Sequence, residues 1–362
     1  MSTQQTNSER PITQPPVDRE YAFHTVIKIH DTPPAQSSVT RHESACSSLG
    51  VLDILPAELL LLTFELLDFQ SLSRLSRVSL KGKVMVEALT AYRDMMEHAP
   101  TTLTALAKTR LISHHSASLL RQTLRSAKCV SCFEFGGYLL LPTCERVCAE
   151  CLLLNQALWM TSVPLAKRCF SLTDAQIERI PIMYSIPGYY GIRFSFQRHK
   201  TRRLVNVKQA KQLGIEVHGS IDQMARLLSG KCPGMPSTES WVPNYFLEAP
   251  LEPPGSDMPR LATKHKYQRY DQFSGIACIR FPYLTQSGLD NGLFCQGCER
   301  TYEDHQRGIL PASVLSELAP PGADTWRVIR GLVYRMRSRD GFLEHVRHCY
   351  GARRVMDVLR ED

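Results

Sequence analysis

The apolar positions of residues 49–99 repeat at helical intervals and predict a small helical domain. Pro56 suits the first turn of a leucine-rich helix, because proline has no N–H to leave unpaired there. A second short helix follows, and Ser79 can cap a third, which is predicted to run from about Leu80 to Met96. Three short helices cannot bury this many leucine side chains among themselves, and an exposed apolar face on so small a unit usually marks a partner site.

The rest of the pattern predicts an α+β fold that is predominantly α-helical. Residues 1–48 are rich in Ser, Thr, Gln and Pro and are predicted to be a disordered tail, although residues 21–29 alternate enough to form a short docking strand. Residues 127–358 are predicted to form a mixed region with short β-hairpins. Within it, the proline-rich residues 232–260 indicate a loop or linker, whose aromatic residues, Phe246 among them, can bind a partner or pack the loop against the core.

Local signals add three specific expectations for the mixed region. Gly136-Gly137 is predicted to be the turn of a β-hairpin. Thr173 begins a capping box, because a glutamine stands three residues later and can bond back to the start of the helix. A helix that starts near Lys208 is predicted to stop at Gly214.

Composition adds two unusual features, the cysteines and the charge. The chain has 362 residues with 12 cysteines and a net charge of +8. The first residues lack the apolar core of a signal peptide, and no uncharged run is long enough to span a membrane, so we expect a cytoplasmic or nuclear protein in which disulfides are rare. Residues 100–362 carry 34 Lys/Arg and 23 Asp/Glu, densest at Arg198–Arg203, which permits an acidic partner but does not require one.

Two cysteine pairs in the middle of the chain have the spacing of a zinc site. Cys129 and Cys132 form one C-x2-C pair, Cys148 and Cys151 form a second, and 15 residues separate the pairs. Four thiolates suit tetrahedral Zn²⁺, and a closed set of four leaves no position for a catalytic water. Cys144 is a fifth thiol nearby that could replace Cys148, but it belongs to no C-x2-C pair. The sequence predicts a structural zinc site here.

A second set of three cysteines and one histidine lies near the C-terminus. The set comprises Cys295, Cys298, His345 and Cys349. The first two form a C-x2-C pair, and the last two are four residues apart, which places them on one face of a helix. The 46 residues between Cys298 and His345 are long for a zinc finger, so their proximity is an expectation, and His348 and His305 are alternative ligands. The sequence thus predicts two structural zinc ions.

The helical region 49–99 resembles an F-box. The run Leu-Pro-Ala-Glu-Leu-Leu at residues 55–60, followed by spaced apolar residues and a closing Val-Ser, is similar to that motif in order and spacing. The matching apolar residues are Leu55, Pro56, Leu59, Leu60, Phe64, Leu67, Leu72, Leu75 and Val78. Segments around the first cysteine set and around residues 340–349 also look like those of F-box proteins from filamentous fungi, so the resemblance spans about residues 52–358.

This resemblance implies a substrate-receptor subunit of a Skp–cullin–F-box ubiquitin ligase. The motif residues would dock a Skp-type adaptor and, through it, a cullin–RING ligase, while residues 127–358 would hold an unidentified target protein. Such a subunit is not itself an enzyme, and neither a membrane nor nucleic acid is expected as its partner.

Two other classes of function remain open on the sequence alone. The main alternative is a zinc-dependent nucleic-acid-binding protein with an N-terminal helical oligomerisation element, which the basic C-terminal part favours. No basic recognition helix follows either cysteine pair closely, which counts against it. A zinc enzyme would need an open coordination position and a nearby base, and the chain contains no H-E-x-x-H motif.

Overall fold

The computed structural model shows a mixed α+β protein in which helices predominate and the sheets are small and antiparallel. The structure describes residues 26–29, 47–190, 196–229, 246–247, 273–319 and 321–361. Most of the predicted tail at 1–48 and of the predicted loop at 232–260 lies outside these residues. None of the described helices is long and apolar enough to cross a membrane.

The elements are short throughout. The α-helices are α1 (Ala57–Glu65), α2 (Phe69–Val78), α3 (Leu80–Ala88), α4 (Thr90–His98), α5 (Pro100–Lys108), α6 (Ala117–Leu124), α7 (Ala149–Leu154), α8 (Val163–Phe170), α9 (Asp174–Ile177), α10 (Val207–His218), α11 (Ile221–Ser229), α12 (Gln296–Gln306), α13 (Ala312–Leu318), α14 (Thr325–Val333), α15 (Arg339–His348) and α16 (Tyr350–Glu361). The strands are β1 (Tyr138–Leu140), β2 (Glu145–Val147), β3 (Met160–Ser162), β4 (Met183–Tyr184), β5 (Gly188–Tyr190), β6 (Phe196–Arg198), β7 (Arg203–Asn206), β8 (Cys278–Arg280), β9 (Tyr283–Leu284) and β10 (Leu289–Asp290). Single 3-10 turns occur at Gly50–Ile54, Gln156–Leu158 and Ser274–Ala277.

The described residues fall into two compact units. Those from 26 to 289 form the main unit, and those from 290 to 361 form the C-terminal unit. The main unit includes both the helices of region 49–99 and the first cysteine set, whereas the second cysteine set lies in the C-terminal unit. The compact units therefore divide the chain differently from the predicted domains at 49–99 and 127–358.

The N-terminal helices of the main unit begin as expected but are more numerous. The side chain of Ser79 accepts a hydrogen bond from the amide of Gly82 at 3.0 Å, which confirms it as the cap of α3. The predicted single helix from Leu80 to Met96 is instead two helices, α3 and α4, because Leu89 adopts an extended backbone between them. This break lets Leu89 bury its side chain, which is 2% exposed.

Helices α5 and α6 connect these N-terminal helices to the sheets of the main unit. The ring nitrogen Nε2 of His115 lies 2.6 Å from the carbonyl oxygen of Leu141, just after β1. The amide of Tyr184 donates to the carbonyl of Thr109 at 3.0 Å, and the guanidinium of Arg110 lies over the Tyr184 ring at 4.2 Å. The helical region is thus tied to the sheets by direct contacts.

The first sheet has the order β2-β1-β8 and shows that the predicted hairpin turn was wrong. Strand β1 pairs with β2 through a turn that contains Cys144 in a left-handed conformation (φ 56°), and not through Gly136-Gly137. Ile27 adds to the sheet by a parallel bridge to Ile279 in β8. This bridge supports the expectation that part of the segment 21–29 docks as a short strand.

The second sheet, β3-β7-β4, packs with α8 and α10 around a hydrophobic core of the main unit. The capping box at Thr173 is confirmed. Gly214 does not end α10, contrary to expectation, because it lies inside the helix where a Cβ would approach the sulfur of Met224 to 2.6 Å. The helix ends at Gly219, whose φ of 86° is the conformation that favours glycine. Phe246 is buried in this core, so this residue of the predicted loop packs against the protein.

Candidate metal centres and docking face

The structure brings the four cysteines of the first predicted set together. Their sulfur atoms all lie within 4.8 Å of one another, and Cys132 Sγ is 3.7 Å from Cys148 Sγ. A metal with four sulfur ligands at about 2.3 Å has S···S edges of about 3.8 Å. The four side chains therefore have the spacing of a tetrahedral metal site.

Two tight local structures present these four thiols. After Cys129 the chain turns back at Phe133, whose φ is 59° and whose amide donates to the Cys129 carbonyl at 3.0 Å. Cys148 follows β2 and caps α7, since its sulfur accepts a hydrogen bond from the Cys151 amide at 3.4 Å. An amide donor of this kind favours a thiolate over a thiol, and a thiolate is the form that binds metal.

Position separates this first group from Cys144. Hydrogen bonds from Cys132, Cys148 and Cys151 hold the pKa of Cys129 far below its usual range, and the same contacts with Cys129 raise the pKa of Cys148 and Cys151. Burial also raises the pKa of the Cys144 thiol, to about 12. Cys144 lies outside the group and contacts Thr123 Oγ1 at 3.7 Å, so its position, and not its pKa, excludes it as a ligand candidate.

A buried arginine fixes the backbone around the first group. Arg146 is 3% exposed and donates to the carbonyl oxygens of Gly136 at 2.7 Å and Phe281 at 3.0 Å. Gly136 must remain small here, because a Cβ would lie 2.6 Å from Arg146 Cγ and 3.2 Å from Cys129 Cα. The glycine that was predicted to form a turn instead permits a close approach.

The second predicted set is also assembled, within the C-terminal unit. The ligand atoms of Cys295, Cys298, His345 and Cys349 all lie within 4.8 Å of one another. Cys295 Sγ is 3.8 Å from Cys349 Sγ, and Cys298 Sγ is 3.2 Å from His345 Nε2. His348 and His305, the alternatives, lie outside this group. The long intervening segment therefore does bring the two halves together.

A close crossing of α12 and α16 completes the second group. A Cβ on Gly351 would overlap the carbonyl oxygen of Gly297, and a Cβ on Gly297 would overlap the backbone of Ala352. The Gly351 amide donates to Thr301 Oγ1 at 3.2 Å across this crossing. The glycines let the two helices approach closely, which places Cys349 beside the C-x2-C pair.

An arginine that no sequence motif singles out contacts the second group. Arg337 is 9% exposed, and its Nη2 lies 3.9 Å from Cys298 Sγ. Its backbone pairs with Leu293 in both directions, at 2.8 and 2.9 Å, and its Nη1 donates to the Arg335 carbonyl at 3.1 Å, which helps to hold the guanidinium in place. A buried cation beside three cysteines stabilises thiolate charge, and only the fold shows this contact.

The ligand atoms of both cysteine groups fit the same kind of metal ion, one that prefers sulfur and imidazole ligands in a tetrahedral site. Four sulfurs in one group, and three sulfurs with one imidazole nitrogen in the other, are soft or borderline ligands that form closed tetrahedral sites. Within the part of the chain that the structure describes, both cysteine groups can hold a metal ion. Each group supplies all four ligands of a tetrahedral ion, so each supports a structural role.

A third feature is the docking face, the exposed apolar side chains between residues 51 and 84. Its members are Val51, Leu52, Ile54, Leu55, Leu59, Leu62, Leu66, Val78, Leu80 and Val84. On α1 the exposed Leu59 and Leu62 and the following Leu66 lie at helical intervals of three and four, so they form one stripe. Leu60 and Phe64 point to the other side and are buried.

The structure sorts the nine predicted docking residues by exposure. Leu55, Pro56, Leu59 and Val78 are exposed, and Leu67 and Leu75 are half-buried. Leu60, Phe64 and Leu72 are at most 3% exposed, so they hold the helices together and are not accessible to a partner. The exposed residues outside the motif, such as Leu62 and Leu66, were missed because the motif alone does not tell which side of a helix is covered.

Comparison with family models, with curated proteins and with solved structures finds no match to this chain. The resemblance to F-box proteins therefore rests on the motif residues named above.

Proposed function

We propose that this protein is a non-catalytic receptor subunit of a Skp–cullin–F-box ubiquitin ligase. The docking face is the observation that carries the proposal. Monomeric soluble proteins rarely leave so many large apolar side chains exposed in one short region, and such faces mark protein interaction sites. Residues 55–60, which carry the resemblance, contribute Leu55 and Leu59 to this face.

The Skp-type adaptor is the partner that the motif favours. Pro56 has a φ of −54° and precedes α1 directly, so the entry of the chain into the helix is fixed before binding. Leu55 and Leu59 flank it and are 42% and 50% exposed. A rigid apolar anchor loses little conformational entropy on binding, which favours its insertion into a groove of the partner.

The two metal centres support the part of the protein that would hold a target. We assign Zn²⁺ to both, because four-coordinate sulfur and imidazole sets are typical of structural zinc. Bound zinc would supply folding free energy through Cys129, Cys132, Cys148 and Cys151 in the main unit and through the second group in the C-terminal unit. The receptor then acts in the cytoplasm or nucleus by holding a target lysine near the charged ubiquitin-conjugating enzyme, which raises its local concentration.

A pull-down with a purified Skp-type adaptor tests the proposal. Leu59→Asp places a charge on the exposed stripe and should weaken binding by about 2 kcal/mol or more, roughly thirtyfold, as at an interface hot spot. Ile309→Asp is the matched control, since Ile309 is 55% exposed but belongs to the C-terminal unit. Circular dichroism checks that both variants remain folded.

The outcomes separate the docking face from the buried helix contacts. Retention by wild type and by Ile309→Asp, with loss for folded Leu59→Asp, supports the proposal. Leu60→Asp is expected to unfold the helices, because Leu60 is only 2% exposed. If the wild-type chain does not retain the adaptor, or if Leu59→Asp binds as well as Ile309→Asp, the proposed function is wrong.

A further inference from the structure

Residues 183–190 and 196–206 of the main unit form one antiparallel ribbon that continues the second sheet. Strand β4 pairs with β7, and β5 pairs with β6 along the same two segments of the chain. Between these pairings the Ser185 amide donates to the Arg202 carbonyl at 2.9 Å, and the Arg202 amide donates to Ser185 Oγ at 2.8 Å. The ribbon is therefore held together by hydrogen bonds where the two pairings meet.

The β5–β6 part of the ribbon has one packed face and one exposed face. On the packed face Tyr190 is 5% exposed, and the guanidinium of Arg198 lies 5.4 Å from the centre of the Phe273 ring. Neighbouring residues of a strand point to opposite faces, so Tyr189 and Gln197, which lie opposite each other, belong to the other face. Both are exposed, and the Tyr189 side chain is 55% exposed. The outer face thus presents an aromatic ring on an ordered strand.

The ribbon and the chain around it are basic. Residues 183–206 contain five Lys/Arg and no Asp/Glu, so the segment cannot neutralise its own charge. Lys200, Arg202 and Arg203 follow β6 and are all exposed. Arg203 Nη2 lies 3.8 Å from Glu178 Oε1, whereas Lys200 and Arg202 form no ion pair with another described residue. Two exposed cations next to the outer face therefore carry charge that no described carboxylate neutralises.

The nearest acid to these cations is already occupied. Asp174 lines a cleft together with Arg202, but its Oδ2 lies 2.6 Å from Lys167 Nζ. Burial, and then the charge of Arg202, lowers the pKa of Arg198, because like charges lie close together here. A concentration of cations without compensating acids attracts an anionic partner and speeds its approach.

We propose that the outer face of this ribbon binds a single-stranded nucleic acid. A base stacks on the exposed ring of Tyr189, and backbone phosphates lie against Lys200 and Arg202. Stacking on an aromatic side chain accepts any base, and cations beside it follow the backbone, which is the chemistry of binding without sequence preference. This activity goes beyond the proposed function, and the resemblance to F-box proteins does not imply it.

The packed face of the ribbon favours a single strand over a duplex. A β-ribbon that reads a duplex enters its major groove. Here Tyr190 is buried and Arg198 lies against Phe273, so the β5–β6 pair is covered on one side and cannot enter a groove. A duplex also keeps its bases stacked on one another, whereas a single strand can turn a base onto the Tyr189 ring.

Fluorescence anisotropy with the full-length protein tests this inference. The probes are a mixed-sequence single-stranded RNA of about 12 nucleotides, the single-stranded DNA of the same sequence and the corresponding DNA duplex. Tyr189→Ala and Tyr189→Phe test the stacking contact, and Arg202→Gln tests the phosphate contact. The matched controls are Trp326→Ala, since Trp326 is 38% exposed, and Arg307→Gln, since Arg307 is exposed, and both lie in the C-terminal unit. Circular dichroism checks that each variant remains folded.

We expect the wild-type protein to bind both single strands more tightly than the duplex at physiological salt. Tyr189→Ala should weaken binding of the single strands about tenfold, as for the loss of one stacked base, without changing its salt dependence, and Tyr189→Phe should bind as the wild type does. Arg202→Gln should weaken binding about fivefold and flatten the slope of log affinity against log salt by about 0.7, because one phosphate contact is lost. Each control should change the affinity by less than about twofold.

The remaining outcomes decide whether the ribbon binds nucleic acid. A preference for RNA or for DNA among the single strands supports the inference and identifies the sugar that is bound. The inference is wrong if the wild type binds no single strand, if it binds the duplex at least as tightly, or if Tyr189→Ala or Arg202→Gln binds as tightly as its control. None of these variants alters the docking face, so adaptor binding by the same preparations tests the proposed function separately.

Discussion

The two metal centres are built in opposite ways, although both use paired cysteines. The first lies within 23 consecutive residues, Cys129 to Cys151, on turns and the end of a strand. The second joins two pairs of ligands with 46 residues between them and depends on the crossing of α12 and α16. Closing the longer loop costs about 1 kcal/mol more in chain entropy. The first centre is therefore local, and the second is a product of helix packing.

The two centres also take their geometry from different sources. In the first, short-range hydrogen bonds at the turn of Phe133 and at the Cys148 cap set the positions of the sulfur atoms. In the second, the glycine contacts between α12 and α16 and the guanidinium of Arg337 set them from a distance. At the first centre we expect substitution of a ligand to lower zinc content and stability more than a packing substitution does. At the second centre we expect packing substitutions to be nearly as damaging as ligand substitutions.

The largest effect is expected from Cys148→Ser. The variant removes a metal ligand, while the serine Oγ can still accept the Cys151 amide and cap α7, so it should lose one of two zinc equivalents through the missing thiolate. We expect the free energy of unfolding of the main unit to fall by more than about 3 kcal/mol, because the binding free energy of a structural metal is folding free energy. Metal analysis and hydrogen exchange measured by mass spectrometry provide the readouts.

Cys144→Ser is the matched control for this change. Cys144 is buried nearby but lies outside the ligand group, so two zinc equivalents should remain. If Cys144→Ser lost one zinc equivalent while Cys148→Ser kept both, Cys144 and not Cys148 would be the ligand. Loss of protection across the C-terminal unit in Cys148→Ser would contradict the separation of the two centres.

A moderate effect is expected from Gly351→Ala, which tests the packing origin of the second centre. The added methyl group overlaps the Gly297 carbonyl and must push α12 and α16 apart, at a cost of about 2 kcal/mol. Gly331→Ala in α14 is the control, because its methyl group would meet no described atom within 4 Å beyond the backbone of its own helix. It should stabilise the unit by up to about 1 kcal/mol through helix propensity. Thermal unfolding and zinc content that are the same in both variants would show that close packing does not shape this centre.

The smallest effect is expected from Arg337→Met. Methionine keeps much of the apolar stem contact but removes the N–H donor that lies 3.9 Å from Cys298 Sγ. Loss of an outer contact to a ligand weakens metal affinity by about tenfold, roughly 1.4 kcal/mol, so zinc should transfer to a competing chelator at lower chelator concentration. Arg307→Met should transfer zinc as the wild type does. If Arg337→Met releases zinc to the chelator at the same chelator concentration as the wild type, Arg337 does not contribute to the metal affinity of the second centre.

Spacing alone identified both cysteine groups, because a C-x2-C pair fixes two ligands on one turn and a four-residue interval fixes two on one helix face. Caps such as Ser79 and Thr173 were equally predictable, since their bonds are to residues three positions away. These are local rules, and the fold class followed from the same local periodicities.

The wrong predictions all concern residues whose role depends on a side chain that packs against them in the fold. Gly214 was predicted to end a helix and Gly136 to form a turn, because glycine is common at both positions. In the structure each glycine instead allows the close approach of another side chain, Met224 to Gly214 and Arg146 to Gly136. The break at Leu89 follows from burial that the helical repeat does not encode. Likewise the motif could not separate the exposed Leu59 from the buried Leu60, since exposure depends on which helices pack behind α1.

The contacts of Thr109, Arg110 and His115 with the sheets have a mechanical consequence for the proposed receptor. They join α1–α6 to strands β1 and β4, and all these elements lie within one compact unit. A target bound on these sheets would be carried at a fixed distance and angle from the adaptor, with no swinging linker between them. Selection among target lysines would then depend on their orientation on the target, and not on how far a flexible tether can reach.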